Sequence, residues 1–243
     1  MNMKSLSVII PTYNDAKKIK SKIHILIKKL RKTKLKYEII IVNDGSKDGT
    51  KSEIKKISKK HKLILINNDI NQGKSYSINK GLKKSKYQNI ILTDSDLPYF
   101  SSFNKIIKKL DKNYDFVFVN RRHKKSKIIN RKLNFYQISR YFIGYVVSLV
   151  IRLALNMNIY GGDTQSGLKG FKKIKNFKKF KFVSLKFFLD LEIMYCYKKL
   201  DKKFYSIPVK YKIDDKSSIK IFSLKKNFEI IIELFKIILN LKN

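Results

Sequence analysis

Two acidic residues separated by one position are the strongest chemical signal in this chain. Asp94, Ser95 and Asp96 directly follow the apolar run Asn89–Thr93, which has the character of a strand buried on both faces. Two carboxylates this close repel each other unless a cation lies between them. Hard divalent cations such as Mg²⁺ and Mn²⁺ prefer oxygen ligands and bridge carboxylates to phosphate groups. The spacing therefore predicts a metal site that handles a phosphorylated ligand.

Polar residues follow three earlier apolar runs in the same way, at 11–15, 43–50 and 67–74. Ligands of open α/β sheets bind outside the carboxyl ends of the strands, so these segments are expected to line one crevice. Turn formation is the alternative explanation for such residues. For Asp48, Gly49 and Thr50 we favour it, as the N-terminus of a helix.

The apolar periodicity predicts alternating strands and helices. Strands are expected at 5–10, 38–42, 62–66, 89–93 and 116–119, and helices at 16–31, 49–60, 75–84 and 103–110. The second half adds helices at 131–155, 184–199 and 223–241 and strands at 167–171 and 204–209, with a break at Gly161 and Gly162. Such alternation is typical of βαβ units with a mostly parallel sheet and right-handed crossovers.

Composition excludes several classes of protein. The chain has 243 residues, a hydrophobic fraction of 43% and a formal net charge of +38, so it can build a core despite its charge. Codon bias of an AT-rich genome explains the lysine excess, while an anionic membrane surface or nucleic acid are the functional alternatives. Lysine lacks the forked geometry used for base readout, and no nucleic-acid-binding motif is present, so no specific nucleic-acid partner is expected.

Cysteine and histidine usage points away from structural metal or disulfide chemistry. Cys196 is the only cysteine, and His24, His61 and His123 lack a metal-ligand spacing. No run reaches the roughly 18 apolar residues of a spanning helix. The strand pattern begins within five residues of the N-terminus, so a signal peptide is not expected either.

Four motifs together give the chain a family resemblance: VIIPTYND, EIIIVNDGSKDGT, the run at 71–74 and LTDSD. They resemble the inverting family 2 glycosyltransferases of GT-A fold, over roughly residues 5–210. The resemblance implies a Rossmann-like α/β fold of the nucleotide-diphospho-sugar transferase type, with a mostly parallel sheet flanked by helices. It implies a glycosyltransferase domain at 1–210, with donor half 1–120 and acceptor half 121–210, and a C-terminal amphipathic, membrane-contact segment at 211–243.

A later block narrows the resemblance. The motifs DTQSGLKGF (163–171), FLDLE (188–192) and SSIK (217–220) are similar in order to the dolichyl-phosphate β-glucosyltransferases and, more loosely, to dolichyl-phosphate mannosyltransferases. That branch implies transfer of a hexose to a polyprenyl or dolichyl phosphate, with UDP-glucose as the first expected donor and GDP-mannose as the second. Two alternatives stay open: transfer to a saccharide or protein hydroxyl, and a non-catalytic module that binds anionic membrane or nucleic acid.

The resemblance also implies roles for particular residues. The donor site would comprise Pro11, Thr12, Tyr13, Asn14, Asp15, Asp44, Gly73, Lys74, Asp94, Ser95 and Asp96. Asp94 and Asp96 would carry Mg²⁺ or Mn²⁺ against the diphosphate, where the metal stabilises the charge of the leaving nucleoside diphosphate. Asp96 and Asp163 are the catalytic candidates. Asp163 is expected either to orient the nucleophile or the sugar, or to cap a loop.

An anionic acceptor needs cations. Four of the six arginines fall within twenty residues: Arg121, Arg122, Arg131 and Arg140. Because arginine offers a planar fork for phosphate oxygens, we expect the acceptor phosphate at Arg121, Arg131, Arg140 and Gln165, with a solvated basic loop as the alternative.

Two apolar stretches, 135–155 and 223–241, are flanked by lysines. A basic amphipathic helix of this kind lies in the headgroup plane of a membrane, and core packing is the alternative. The membrane interpretation predicts a cytoplasmic protein that is peripheral on the inner face of the membrane.

Overall fold

The computed structural model describes residues 3–157, 163–175, 177, 182–213 and 224–242, with side chains described from residue 228 onward in the last range. The expected break at Gly161 and Gly162 and the motif at 217–220 lie outside the described residues.

A twisted seven-stranded sheet forms the centre of the protein. The strands of the described residues are β1 (Ser5–Thr12), β2 (Lys36–Asp44), β3 (Ile64–Asn68), β4 (Asn89–Thr93), β5 (Phe116–Asn120), β6 (Lys127–Ile128), β7 (Leu168–Lys172), β8 (Phe204–Pro208) and β9 (Lys210–Tyr211). The order in the main sheet is β3-β2-β1-β4-β7-β5-β8, and β6 pairs with β9 separately. Only β7 runs antiparallel to its neighbours in the main sheet, which confirms the mostly parallel α/β fold.

Helices cover both faces of the sheet. They are α1 (Ala16–Arg31), α2 (Thr50–Ser58), α3 (Lys74–Lys84), α4 (Phe103–Asp111), α5 (Phe135–Ala154), α6 (Leu189–Lys199) and α7 (Leu224–Lys242). Successive residues of a strand point to opposite faces. Val8 and Ile10 accordingly join a core cluster with α1, α2 and α4, whereas Ile9 joins a second cluster with α3, α6 and α7. Burial on both faces explains why these strands read as continuous apolar runs.

Two helices begin later than the sequence pattern predicts. α6 starts at Leu189 rather than at residue 184, because the carboxylate of Glu192 accepts the backbone N–H groups of Val183 and Ser184 and holds them outside the helix. α5 starts at Phe135 rather than at residue 131, because Asn134 and Gln137 form a reciprocal capping box there. None of the described helices has the length and apolar character needed to cross a membrane.

Candidate active site

The carboxyl ends of β1, β2, β3 and β4 lie side by side at one edge of the sheet. Thr12 is in register with Asn43, and Asp44 is in register with Asn68. β1 continues two residues beyond the predicted end, through Pro11 to Thr12, while its pairing with β4 covers only Ser7–Ile9. A proline fits here because this end of β1 is open on the β4 side. The polar segments that follow these strands are therefore brought together, as expected.

The loop after β1 is bonded to the loop after β2. The N–H of Asn14 donates to Ser46 Oγ at 2.9 Å, and the N–H of Asp15 donates to Thr50 Oγ1 at 2.8 Å. Asp48 accepts from the N–H of Thr50, the first residue of α2, at 3.1 Å. The interpretation of residues 48–50 as a helix N-terminus is thus confirmed. Tyr13 is half-exposed beside this pair of loops.

Asp44 organises the loop that leads to α3. Its carboxylate is buried and accepts from Asn68 Nδ2 at 2.7 Å and from the backbone N–H groups of Gln72 at 3.0 Å and Gly73 at 2.9 Å. Gly73 has a φ of 103°, and an added Cβ would lie 2.7 Å from the carbonyl oxygen of Leu185, so only glycine fits. Contact of Asp44 with a base or ribose stays a prediction, since the structure shows protein donors on both oxygens.

Several buried polar atoms at this edge have no hydrogen-bond partner among the described residues. Seven such side-chain atoms occur in the described residues, and five of them belong to the strand ends and the loop at 163–167: Thr12 Oγ1, Asp15 Oδ2, Asn43 Oδ1, Gln165 Nε2 and Ser166 Oγ. Buried polar groups are almost always paired in folded proteins. Their concentration here makes this edge of the sheet the candidate site for a polar ligand.

Asp94 lies in contact with a lysine at the start of α3. Lys74 Nζ is 2.6 Å from Asp94 Oδ1, and each side chain is about one-third exposed. Burial opposes the charge on Lys74, but the carboxylates of Asp94, Asp190 and Asp96 raise its pKa above the usual value. Lysine at this position is therefore a fixed cation beside the first acid of the pair.

The backbone around the two acids is tightly held. The N–H of Asp94 donates to the carbonyl of Gly167 at 3.2 Å, and a Cβ at position 167 would lie 2.6 Å from Asp94 Oδ2. Leu97 and Tyr99, just beyond the acids, have φ values of 55° and 56°. Positive φ at bulky residues is strained, and such strain concentrates at functional sites.

Asp94 and Asp96 fit a divalent cation that shares its coordination with a ligand. Loss of hydration and the neighbouring Asp94 carboxylate raise the pKa of Asp96 above its usual value. A cation bound between the two carboxylates would relieve their repulsion. No group of three or more His, Cys, Asp or Glu side chains among the described residues could hold a metal alone. Magnesium-type ions commonly take one or two carboxylates together with substrate phosphates, and the pair suits that pattern.

A buried ion pair lies behind the acid pair and was missed in the sequence. Lys169 Nζ on β7 is 2.8 Å from Asp190 Oδ1 on α6, and both side chains are about 95% buried. Lys169 also donates to the carbonyl of Thr164 at 3.0 Å. Lys169 and Asp190 line a small pocket together with Lys74, Asp94 and Ser166. The available signal was a lysine within the otherwise apolar strand LKGF.

On the acceptor side, Arg121 and Asp163 form a second ion pair. Arg121 Nε and Nη2 donate to the two oxygens of Asp163 at 2.9 and 2.6 Å, and the backbone N–H of Arg121 donates at 2.7 Å. Burial alone would raise the pKa of Asp163, but the Arg121 guanidinium holds it below the usual value. Asp163 therefore stays ionised and positions Arg121.

The other acceptor candidates lie along the chain towards α5. Arg131 is exposed and makes no hydrogen bond or ion pair to the Arg121–Asp163 pair within the described part of the chain. Arg140 is partly buried on α5, and Gln165 is partly buried two residues after Asp163. Of the acceptor-side candidates, the structure thus brings Arg121 and Asp163 into direct contact.

These features define a polar crevice that contains an acid pair at the carboxyl edge of an α/β sheet. The family model described as glycosyl transferase family 2 matches residues 7–159, which is more than half of the chain. The chain therefore belongs to glycosyl transferase family 2. A stretch of 52 residues is 50% identical to an uncharacterised glycosyltransferase of Mycoplasma genitalium, and this match spans only 17% of that protein's length.

Solved structures share the fold at low sequence identity. Glucosyl-3-phosphoglycerate synthase from Mycobacterium tuberculosis, in complex with Mn²⁺, UDP and phosphoglyceric acid, is 12% identical with a TM-score of 0.66, over 97% of this chain and 78% of that one. The mannosyltransferase PcManGT from Pyrobaculum calidifontis, in complex with GDP-Man and Mn²⁺, is 18% identical with a TM-score of 0.58, over 97% of this chain and 64% of that one. These similarities confirm the expected GT-A type of fold.

Proposed function

We propose that this protein transfers a hexose, with inversion, from a nucleotide sugar to the phosphate of a polyprenyl or dolichyl phosphate, in a reaction that requires Mg²⁺ or Mn²⁺. One observation carries the donor half of this proposal: five unpaired buried polar atoms and the Asp94–Asp96 pair share one edge of the sheet. Membership of glycosyl transferase family 2 supports the same reaction class.

Asp94 and Asp96 would hold the metal, which when bound supplies Lewis-acid neutralisation of the diphosphate. Lys74 provides a second cation 2.6 Å from Asp94, and its raised pKa keeps it protonated at neutral pH. Charge that develops on the leaving group in the transition state is stabilised by cations already fixed in place.

UDP-glucose is the first proposed donor and GDP-mannose the second. The M. tuberculosis enzyme of similar fold has been solved with Mn²⁺ and UDP-glucose, and the P. calidifontis enzyme with Mn²⁺ and GDP-Man. These complexes support a nucleotide-sugar donor and a divalent metal. The preference for UDP-glucose rests on the DTQSGLKGF motif.

The state of Asp163 favours a phosphate acceptor over a hydroxyl. Asp163 is buried, ionised and bonded to Arg121 through both oxygens, so it is poorly suited to take a proton from a neutral hydroxyl. A phosphate monoester is already anionic near pH 7 and needs little general-base assistance. Arg131, Arg140 and Gln165 remain the candidates for direct contact with that phosphate.

A transfer assay with paired acceptors tests the proposal. The full chain is incubated with UDP-glucose or GDP-mannose, Mn²⁺ and either a polyprenyl phosphate or the matching polyprenol, and the lipid-extractable sugar is measured. We expect product with the phosphate only, and none when EDTA replaces Mn²⁺. Equal product with the polyprenol, or no lipid-linked hexose with either donor while a control relative forms it, would show that the acceptor is wrong.

A further inference from the structure

Helix α5 exposes most of its apolar side chains. Of its twenty residues only Gln137, Ser148 and Ile151 are buried, whereas Phe135, Phe142 and Leu153 are 78%, 64% and 74% exposed. Other exposed apolar or aromatic residues of the helix are Ile138, Tyr141, Ile143, Tyr145, Val146, Leu149 and Val150. A contiguous apolar surface of this extent marks an interaction site on a folded protein.

The surroundings of α5 are basic. Residues 116–162 contain nine lysines and arginines but no aspartate or glutamate. An apolar face bordered by cations complements the acyl and phosphate layers of an anionic lipid surface. A second copy of this chain is a poor occupant, because two such stretches would bring a large excess of cations together even though Arg121 is paired with Asp163.

Arg122 marks the edge of this face. Its guanidinium carbon lies 5.7 Å from the centre of the Tyr141 ring and 5.4 Å from that of Tyr145. The guanidinium donates no hydrogen bond within the described part of the chain, in contrast to Arg121, which is bonded to Asp163. The guanidinium also lies close to Gly144, where an added Cβ would be at the contact distance of 3.4 Å from Arg122 Nη2. The side chains of arginine and tyrosine each combine an apolar part with a polar end, so they are suited to the boundary between lipid and water.

This edge adjoins the Arg121–Asp163 pair. Tyr211 on β9 has a raised pKa because of burial and the nearby Tyr141, while Arg121 and Arg122 oppose the shift and Asp163 adds to it. Tyr211 is therefore close to both the aromatic edge of α5 and the acceptor-side ion pair. A lipid phosphate bound at Arg122 would lie beside the acceptor side of the site.

Helix α7 differs from α5 although it is also partly exposed. Leu234, Ile237 and Ile238 are buried in the core, and Glu233 accepts the backbone N–H groups of Leu185 and Lys186 at 3.0 and 2.8 Å. The outer side of α7 also exposes apolar residues such as Phe235 and Leu239. It differs from α5 in its docked inner face and in its two acids, Glu229 and Glu233.

We propose that the exposed face of α5, with Arg122 stacked on Tyr141 and Tyr145 at its edge, binds an anionic lipid surface, and that α7 does not. The proposal deepens the proposed function and rests on it for the nature of the acceptor, which is itself an anionic lipid. Of the two stretches expected to contact a membrane, 135–155 and 223–241, it selects the first.

Matched variants of the two helices test this assignment. Phe142→Glu with Leu153→Glu changes α5, and Phe235→Glu with Leu239→Glu changes α7; all four side chains are more than 60% exposed, and both variants lose the same net charge. Partitioning onto vesicles of phosphatidylcholine, with and without phosphatidylglycerol, is measured by co-sedimentation without donor or acceptor. We expect the α5 variant to weaken binding to the anionic vesicles by about 10-fold or more and the α7 variant by less than about 2-fold. Circular dichroism checks that both variants are folded.

A second pair of variants tests the anion contact. Arg122→Gln and Lys124→Gln remove one charge each from the same loop, and we expect the arginine change to weaken binding to phosphatidylglycerol vesicles about 5-fold, more than the lysine change does.

Equal losses from α5 and α7, absence of vesicle binding by the unaltered chain, or a dimer that the α5 variant converts to a monomer would overturn the proposal. Because these measurements omit donor and acceptor, failed hexose transfer with intact vesicle binding would reject the proposed function alone.

Discussion

The sheet edge at β1–β4 and the region from Arg121 to α5 differ in how their charges are compensated. At the sheet edge, Asp44 is satisfied by loop amides, Lys74 by Asp94 and Lys169 by Asp190. Near α5, a stretch with nine cations contains no acid, and its apolar helix faces outward. The charges of the sheet edge are thus paired within the protein, whereas the stretch near α5 keeps an excess of cations apart from the Arg121–Asp163 pair.

Removing the first acid of the pair tests the sheet edge most severely. We expect Asp94→Asn to lower kcat for hexose transfer by about 1,000-fold, because the metal and the diphosphate lose a ligand that acts on the developing charge. The matched change Asp201→Asn, at an exposed acid that follows α6, is expected to leave kcat nearly unchanged. Similar rates for both variants would mean that the acid pair does not serve catalysis.

Two adjacent arginines allow a paired cation to be compared with one that is unpaired among the described residues. Arg121 forms an ion pair with Asp163, whereas Arg122 lies at the edge of α5. Arg121→Met leaves Asp163 buried without its partner, so we expect the free energy of unfolding to fall by about 3–5 kcal/mol. Arg122→Met removes only a partly exposed contact with two tyrosines, and the expected loss is about 0.5–1 kcal/mol. Urea unfolding of the two variants measures the difference, and comparable losses would contradict the distinct roles of the pair.

Lys74 allows the electrostatics of the sheet edge to be examined without substrate. We expect Lys74→Met to tighten binding of Mn²⁺ alone by about 10-fold, since an ammonium no longer occupies Asp94, and to lower kcat by about 10–100-fold. Electron paramagnetic resonance of free Mn²⁺ measures the affinity, with Lys83→Met, an exposed change on the same helix, as control. Weaker metal binding in Lys74→Met would show that Lys74 assists the metal rather than competing with it.

The Arg121–Asp163 pair also predicts how stability depends on pH. The pKa of Asp163 is lowered in the folded protein, so its stabilising contribution is complete above the ordinary aspartate pKa of about 3.9 and is lost as the pH falls through the lower folded value. The free energy of unfolding should therefore decline in that acidic range. The decline should be smaller in Asp163→Asn, and identical slopes in the two proteins would rule out this contribution.

Much of the sheet and the donor side could be predicted because local pattern and packing agree there. The spacing of Ile19, Ile23, Leu26, Ile27 and Leu30 predicted α1 with the bounds that the structure shows, and these five residues are its buried face. Asp94 and Asp96 follow a buried strand, as expected. Because β1 to β4 are parallel, the polar segments that follow them must lie at the same edge of the sheet, and this could be predicted without knowing any tertiary contact.

The remaining features depend on contacts between distant segments. Nothing in the local sequence distinguishes Arg121 from Arg122. Arg121 nevertheless forms an ion pair with Asp163, whereas Arg122 lies over the ring of Tyr141 on α5. The Lys169–Asp190 pair joins β7 to α6, and the late start of α6 depends on where Glu192 places its carboxylate. These contacts could not be predicted from the sequence because the partners of such side chains are set by tertiary packing.

The central claim is that Asp94 and Asp96 hold a cation against the diphosphate of a sugar donor. Calorimetric titration of UDP-glucose, and then GDP-mannose, into the full chain with Mn²⁺ and again with EDTA tests it most directly. The account predicts that a donor binds with Mn²⁺ and that its affinity falls at least about 10-fold with EDTA. Equal affinity for the donor in the two conditions, or no binding of either donor with Mn²⁺, would contradict it.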